Sequence, residues 1–248
     1  MSFPVRLNTI CNTICGAALI ASALALTPLA ASAATFTVSL PGNYFGSNGS
    51  AGATISDSTI PLTEGVAAGG FAASGNLHGM GVENFTAWCL DIITTMKTSS
   101  DYITTTTPFQ SLLSPSRMTN ILRLFDTGFK TLNLANGADS GGFQLALWEL
   151  MYENAPTFDL TSGNFTASSA GALALAQSLL AGLTGPVTQS YALTWLQSDD
   201  GRGQGNHYSQ NLVTASPVPL PAGGLLLVTA LAGLAALRRR PARLLART

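Results

Sequence analysis

Alternating apolar and polar positions mark the first part of the chain as strand-rich. Residues 35–40 alternate in this way, and stretches rich in Gly and Ser interrupt the following sequence at 46–52 and 69–79. Successive side chains on a strand point to opposite faces, and Gly and Ser favour turns. The pattern therefore predicts short antiparallel strands between residues 34 and 80.

The strongest predicted strand covers residues 84–93. Period-two placement divides its side chains between two faces, with Phe85, Ala87, Cys89 and Asp91 on one and Trp88, Leu90 and Ile92 on the other. Because both faces are largely apolar, we expect this strand to lie in the centre of a sheet.

The middle of the chain shows helical spacing. Ser114 is predicted to cap a first helix with Pro115 at its first position, where proline fits without losing a hydrogen bond. Apolar residues then recur at helical intervals at Met118, Ile121, Leu122 and Phe125. After a loop near 135–139, a second helix is predicted over 143–152. A third is predicted over 168–181, ending at Gly182.

Strand patterns return at 191–196 and 207–214, after the helical region. Strand-rich flanks that enclose about three helices indicate an α+β domain. We therefore predict antiparallel strands, arranged as a β-sandwich or a barrel-like sheet, flanking a helical insertion.

The N-terminal residues are typical of a secretory signal peptide. Arg6 supplies a positive charge, residues 16–26 form an apolar core, and Ala31-Ser32-Ala33 provides a small-residue cleavage pattern through Ala31 and Ala33. The alternative is an uncleaved membrane helix, but the short apolar core and the small-residue cleavage pattern favour a signal peptide. We predict that residues 1–33 are a signal peptide.

The C-terminal residues combine a Pro-rich segment, an apolar run and an arginine cluster. The apolar run from Ala222 to Leu237 would span about 24 Å as a helix at 1.5 Å per residue, against about 30 Å for a hydrocarbon core. Arginines resist crossing a bilayer, so we expect the end of the chain to stay cytoplasmic and the preceding domain to face outward. The segment 222–237 is the predicted transmembrane helix.

This tail resembles the VPLPA variety of PEP-CTERM sorting tail, which is found on exported proteins of Gram-negative bacteria. The resemblance is carried by Val218, Pro219, Leu220, Pro221 and Ala222, followed by the apolar run and the arginines. It implies an exosortase-type membrane protease as a partner. Residues 34–215 are then the exported domain, and residues 216–248 are the sorting tail.

Charge separates the exported domain from the ends of the chain. Between residues 34 and 215 there are five basic residues, against all twelve acidic residues of the protein. An acidic domain of this kind gives no electrostatic basis for binding nucleic acid. The two histidines, His78 and His207, are far apart in the sequence and have no clustered partners, so no metal site is predicted. The sequence also gives no indication of a cofactor.

Cysteine and glutamine positions carry the candidate chemistry. Cys11 and Cys15 lie in the predicted signal peptide, so Cys89 is the only thiol left in the exported chain. Gln144 has Leu147, Trp148 and Met151 three, four and seven residues after it, which places it within the apolar stripe of its helix. Burying a carboxamide without partners costs about 1–3 kcal/mol. Gln144 is therefore expected to bond to a specific group or to react with one.

Two short motifs resemble the paired motifs of bacterial thioester domains, the adhesive tips of Gram-positive surface proteins. They are Trp88-Cys89-Leu90 and, with the glutamine 55 residues after the cysteine, the stretch from Phe143 to Trp148. The second motif matches at every defined position, and the first has Trp where Tyr or Phe is usual. The resemblance extends in element order over about residues 35–215. It implies an intramolecular thioester between Cys89 and Gln144.

Thioester chemistry would give attachment without an added cofactor. A thiolate attacks the carboxamide with loss of ammonia, and an amine from a partner then displaces the sulfur. Trp88, Phe143 and Trp148 are candidates for excluding water from the bond. Candidate proton-transfer groups are Asp91, Glu149 and Tyr152.

These features predict an exported, membrane-tethered protein of the cell surface or extracellular matrix. It would attach to surface polysaccharide or to an amine-bearing protein ligand through Cys89 and Gln144. It is not expected to be a turnover enzyme, because a spent thioester is not regenerated. The alternative is a structural or carbohydrate-binding matrix protein in which both residues belong to the core.

Overall fold

A computed structural model describes residues 35–105, 113–154, 157–198 and 209–218. The predicted signal peptide, with Ala31 and Ala33, and the sorting tail from Pro219 onward lie outside these ranges. No helix within the described ranges has the length and apolar character needed to cross a membrane.

Nine strands and three α-helices make up the described chain. In order they are β1 Thr35–Ser39, β2 Ala51–Asp57, β3 Leu62–Ala68, β4 Phe71–Gly75, β5 Glu83–Cys89, β6 Ser99–Thr105, α1 Pro115–Gly128, α2 Gly137–Tyr152, β7 Phe165–Ser168, α3 Leu173–Ala181, β8 Tyr191–Ser198 and β9 Leu212–Pro217. A short 3-10 helix, Phe129–Thr131, follows α1.

Six of these strands form a closed antiparallel barrel in the order β1-β4-β5-β9-β8-β6. The pairings align one set of alternating side chains on the inner face, where Ala87 lies opposite Thr214 and Cys89 lies opposite Leu212. The opposite face carries Trp88 next to Val213. The predicted α+β class with barrel-like antiparallel strands is confirmed.

The two ends of the barrel differ in what they carry. Because β9 runs antiparallel to β5, with Cys89 opposite Leu212, β9 ends where β5 begins. β1 also begins at that end, since Val38 pairs with Gly75 at the close of β4. We call this the exit end, and we call the opposite end, where β5 finishes at Cys89, the site end.

A second sheet of three strands, in the order β3-β2-β7, lies beside the barrel. Its strand β7 ends at Ser168, the residue at which the third helix was predicted to begin. β7 pairs with β2, where Ile55 lies opposite Ala167 and Thr54 lies opposite Ser168. This long-range pairing places Ser168 in a strand, and α3 begins only at Leu173.

The helices begin where local side chains satisfy their free amide groups. Ser114 caps α1 by accepting a hydrogen bond from the Arg117 amide at 3.3 Å, with Pro115 as the first helical residue, as predicted. Asn136 caps α2 through Oδ1, which accepts from the amides of Ala138 and Asp139. α2 contacts α1, α3, β5 and the three-stranded sheet. This central position explains why its residues from Ser140 to Met151 are all buried.

Two strand boundaries differ from the sequence prediction. β5 ends at Cys89 rather than near residue 93, because Asp91 turns the chain by accepting hydrogen bonds from the amides of Ile93 and Thr94. β9 covers Leu212–Pro217, so it extends two residues into the segment assigned to the sorting tail. The predicted start of this strand, at residues 207–208, lies outside the described residues.

Candidate functional site

The carboxamide of Gln144 lies against the backbone of Cys89. Its Oε1 accepts a hydrogen bond from the Cys89 amide at 3.0 Å, and its Nε2 donates to the Cys89 carbonyl oxygen at 2.8 Å. Both residues are only 1% exposed. The structure therefore brings together the two residues that the motifs singled out. The thioester between them remains a prediction.

This contact forms because the pairing of β5 with β4 stops before Cys89, whereas its pairing with β9 continues. β4 begins at Phe71, opposite Ala87, so no β4 residue pairs with Cys89. The side-chain amide of Gln144 takes the place of a strand peptide, donating once and accepting once as a backbone unit would. A buried amide and carbonyl that would otherwise be unpaired are thereby satisfied.

Four side chains at four-residue intervals on α2 form the face turned toward this end of the barrel. Ser140 accepts a hydrogen bond from the Gly70 amide at 2.9 Å, one residue before β4. Gln144 holds Cys89, and the Tyr152 hydroxyl accepts from the Ile92 amide and donates to the Leu90 carbonyl, both at 3.2 Å. Trp148 lies between them. Sequence analysis missed Ser140, although its position four residues before Gln144 was a usable signal.

The Cys89 thiol is buried and bonded to its own turn. Its Sγ donates to the carbonyl oxygen of Asp91 at 2.8 Å and accepts from the Asp91 amide at 3.3 Å. Burial raises the pKa of the thiol well above its ordinary range, and the Asp91 backbone bond only partly opposes this. The Trp148 indole N–H is buried and has no hydrogen-bond partner among the described residues. It lies close enough to the sulfur to lower the pKa of Cys89 slightly. The thiol is therefore protonated in the folded protein at neutral pH.

The three candidate proton-transfer groups occupy different surroundings. The Asp91 carboxylate is engaged by the turn it makes, accepting from the amides of Ile93 and Thr94 and from the Thr94 hydroxyl. The Tyr152 hydroxyl bridges Leu90 and Ile92, and burial raises its pKa above the ordinary range. Asp91 therefore belongs to the turn that holds the thiol, and Tyr152 bonds to the residues on either side of Asp91.

Glu149 lies away from the cysteine. Five residues after Gln144, it is rotated by about 140° around the helix. Its Oε1 accepts from the Asp159 amide at 2.7 Å, and its Oε2 has no partner among the described residues. Burial, with smaller contributions from the charges of Glu153 and Asp159, raises the pKa of this carboxyl to about 7, although the hydrogen bond from the Asp159 amide lowers it. The structure therefore does not bring Glu149 to the candidate site.

Aromatic side chains seal the outer face of β5. The Phe143 ring packs on Trp88 with centroids 4.5 Å apart, and Phe125 and Phe129 pack on Phe143. Trp88 and Phe143 are fully buried, and Trp148 is nearly so. These rings lie behind the strand that carries Cys89, and Trp148 lies beside its sulfur. This arrangement keeps bulk water from the cysteine and the carboxamide.

Metal-ligating side chains do not gather in the described part of the chain in groups of three or more. His78 bonds Glu83, with 2.7 Å between Nδ1 and Oε1, on the surface at the exit end. His207 lies outside the described residues. Polar groups at the site end include the Cys89 thiol, the Gln144 carboxamide, the hydroxyls of Ser140 and Tyr152, and the Asp91 carboxylate.

Comparisons with known proteins give one similar structure. No family model matches the chain, and no curated protein matches it. A solved structure described as the N-terminal thioester domain of a surface protein from Clostridium perfringens is similar over 75% of this chain and 100% of its own length, with 12% sequence identity and a TM-score of 0.41. The assignment of Cys89 and Gln144 therefore rests on the contacts within this chain.

The predicted sorting signal falls almost wholly outside the described residues. Val218 is the last described residue, and its amide donates to the Ser190 carbonyl at 2.9 Å, continuing the pairing of β9 with β8. Pro219, Leu220, Pro221 and Ala222 follow beyond it. Assignment of these residues as a sorting signal remains a prediction.

Proposed function

We propose that this protein is an exported, membrane-tethered surface protein that attaches covalently to amine-bearing partners through a Cys89–Gln144 thioester. The supporting observation is the doubly hydrogen-bonded contact between the Gln144 carboxamide and Cys89. This contact fixes the amide beside the residue that carries the nucleophile. Holding two reacting groups together can lower a barrier by about 7–11 kcal/mol.

Thioester formation is the first step of the proposed chemistry. Cys89 Sγ attacks Gln144 Cδ, a C–S bond forms, and negative charge develops on Oε1. The Cys89 amide, 3.0 Å from Oε1, is the donor that stabilises this charge. The thiol proton passes to Nε2, the C–N bond breaks, and ammonia leaves. Because burial keeps the thiol protonated, this proton must move as the C–S bond forms.

Attachment is the second step. A partner amine attacks the thioester carbonyl, a C–N bond forms, the C–S bond breaks, and the sulfur regains a proton. The product is an amide to Gln144 and a free Cys89 thiol. Surface polysaccharide with amino sugars or a protein lysine would supply the amine. The thioester is consumed once, so we propose an attachment protein rather than a turnover enzyme.

Export and tethering are the other parts of the proposal. They rest on the signal-like residues 1–33 and on the tail, with its VPLPA segment, apolar run and arginines. An exosortase-type protease would process that tail.

Intact-mass analysis of the purified chain tests the thioester. We expect the mass to fall short by one ammonia of the value calculated for the residues present in the purified protein, and Cys89 to resist iodoacetamide after unfolding. Methylamine should then add at Gln144 and release the thiol. Cys89→Ala is the cleaner variant, because Gln144 bonds only to the backbone of residue 89 and keeps both hydrogen bonds. Gln177→Ala, a helical glutamine on α3, is the matched control and should keep the deficit.

Peptide mapping separates the remaining outcomes. Glutamate at position 144 with a free thiol would record a thioester that water had spent. Glutamine at 144 with a free thiol and the full sequence mass would contradict the proposal.

A structural role for the pair is the second candidate function. The carboxamide of Gln144 satisfies a buried amide and a buried carbonyl of Cys89, which by itself explains a glutamine at this position. In that case the protein would be a non-covalent structural or carbohydrate-binding matrix protein. The same mass measurement decides between the two candidates.

A further inference from the structure

The turn between β4 and β5 presents two of the most exposed large apolar side chains in the described part of the protein. Met80 is 90% exposed and Val82 is 80% exposed. Residues 76–82 form this turn, which we call the hairpin tip. Exposed apolar side chains that lie together on a surface commonly mark a contact site.

The hairpin tip has a defined shape. Gly79 and Gly81, on either side of Met80, have φ angles of 74° and 121°, a conformation that glycine adopts readily. The Gly81 amide donates to Asn76 Oδ1 at 3.0 Å, and His78 bonds Glu83 at the base of the turn. A Cβ atom placed on either glycine would meet no heavy atom within 4 Å. The tip is therefore ordered and stands clear of the rest of the domain.

The hairpin tip lies at the exit end of the barrel. It joins Gly75 to Glu83, which pair with each other at the end where β5 begins. β9 finishes at the same end, and Val218, the residue that follows it in the chain, is 43% exposed there. The chain therefore leaves the barrel on the side that carries Met80 and Val82.

The predicted membrane segment follows closely after this exit. Three residues lie between Val218 and Ala222, the first residue of the apolar run. The four steps from Val218 to Ala222 cover at most about 14 Å in a fully extended chain. A seven-residue turn reaches roughly 10 Å beyond the strands that it joins. If the apolar run enters a bilayer, the exit end and the hairpin tip come within about one headgroup layer of it.

We propose that the hairpin tip is a membrane-contact element, with Met80 and Val82 inserted into the interfacial layer of the bilayer that holds the tail. This inference rests on the tethering part of the proposed function. The charges of the tip agree with it, since residues 79–82 are uncharged and Glu83 is paired with His78. Contact at this end directs the site end, with Cys89 and Gln144, away from the membrane and toward a partner.

Fluorescence in vesicles tests the contact. The full chain, with its native cysteines replaced by alanine, carries a single NBD label at Met80→Cys. It is reconstituted in vesicles of phosphatidylethanolamine and phosphatidylglycerol that contain a doxyl-labelled lipid. The matched control is Ile93→Cys, which replaces an apolar side chain that is 67% exposed after β5, at the site end. We expect a blue shift and quenching by the doxyl lipid at position 80, and neither at position 93.

The outcomes separate this inference from the proposal on which it rests. If the chain floats with the vesicles and the label at 80 behaves like the label at 93, the membrane contact is wrong while tethering stands. A protein partner would then be the occupant of the tip. If the chain does not float with the vesicles, tethering and membrane contact both fail. The thioester is unaffected by either result, since every chain in this experiment lacks Cys89.

Discussion

The carboxyl group of Glu149 lies wholly inside the protein, with Oε2 unpartnered among the described residues. Burial raises its pKa to about 7, from an ordinary value of 4.5. Between pH 4.5 and about pH 7, Glu149 therefore keeps its proton in the folded protein and releases it in the unfolded chain. The free energy of unfolding must therefore fall as the pH rises through this window, by up to about 3 kcal/mol.

Glu149→Gln should remove this pH dependence. The amide keeps an oxygen for the Asp159 N–H and has no charge to bury. We expect the variant to match the original protein near pH 4.5 and to be more stable at pH 8, measured by urea unfolding at both values. Glu64→Gln, on an exposed position of β3, is the control and should leave the pH dependence unchanged. Parallel curves for the original protein and Glu149→Gln would contradict this prediction.

At the scale of elements, α2 is placed by two close backbone contacts at its first turn. A Cβ on Gly137 would lie 2.5 Å from the carbonyl oxygen of Ser50, and a Cβ on Gly49 would lie 2.4 Å from the Gly137 amide nitrogen. Such contacts with backbone atoms cannot be relieved by a side-chain rotation. The loop before β2 and the start of α2 therefore approach each other only because both positions are glycine. This approach sets the position of Gln144, two turns along the helix.

Gly137→Ala should displace the start of α2 and destabilise the domain. We expect a loss of about 1–3 kcal/mol, the usual cost of overpacking, in the free energy of unfolding. Gly171→Ala is the matched control, because its Cβ would meet no atom within 4 Å. That variant should stay within about 0.5 kcal/mol of the original protein. Equal effects of the two substitutions would show that the contact with Ser50 does not constrain the helix.

For the whole molecule, the last strand completes the barrel. β9 lies between β5 and β8, so its removal leaves two strand edges unpaired. Leu212 and Val213 are fully buried in it, and burying each is worth about 1.5–3 kcal/mol. Together they contribute about 3–6 kcal/mol, a large part of the total stability of a typical domain, which is about 5–15 kcal/mol.

A chain that ends at Ser209 should therefore fail to fold cooperatively. A chain that ends at Val218 retains all of β9 and should unfold in one transition, with the same midpoint as the protein that keeps its tail. Thermal unfolding followed by circular dichroism compares the two. A sharp transition in the shorter chain would show that the barrel does not need its sixth strand.

The α+β class and the alternation of side chains across β5 could be predicted from the sequence, because they depend on neighbouring residues. The cap at Ser114, the proline at the first helical position and the placement of Cys89 and Ala87 on one strand face follow from short-range geometry. The unusual polar residue in an apolar stripe, Gln144, was likewise visible as a group that needs a partner. Its burial beside Cys89 agrees with that expectation.

Tertiary structure alone decided which group pairs with the Cys89 backbone, that Phe165–Ser168 form a strand, and which end of the barrel carries the cysteine. Each depends on atoms distant in sequence: the end of β4 leaves the Cys89 backbone free for Gln144, and β2 recruits β7. The same long-range packing buries Glu149. Local preferences are worth tenths of a kcal/mol per residue, whereas burial and satisfied backbone hydrogen bonds are worth several times more, so the packing prevailed.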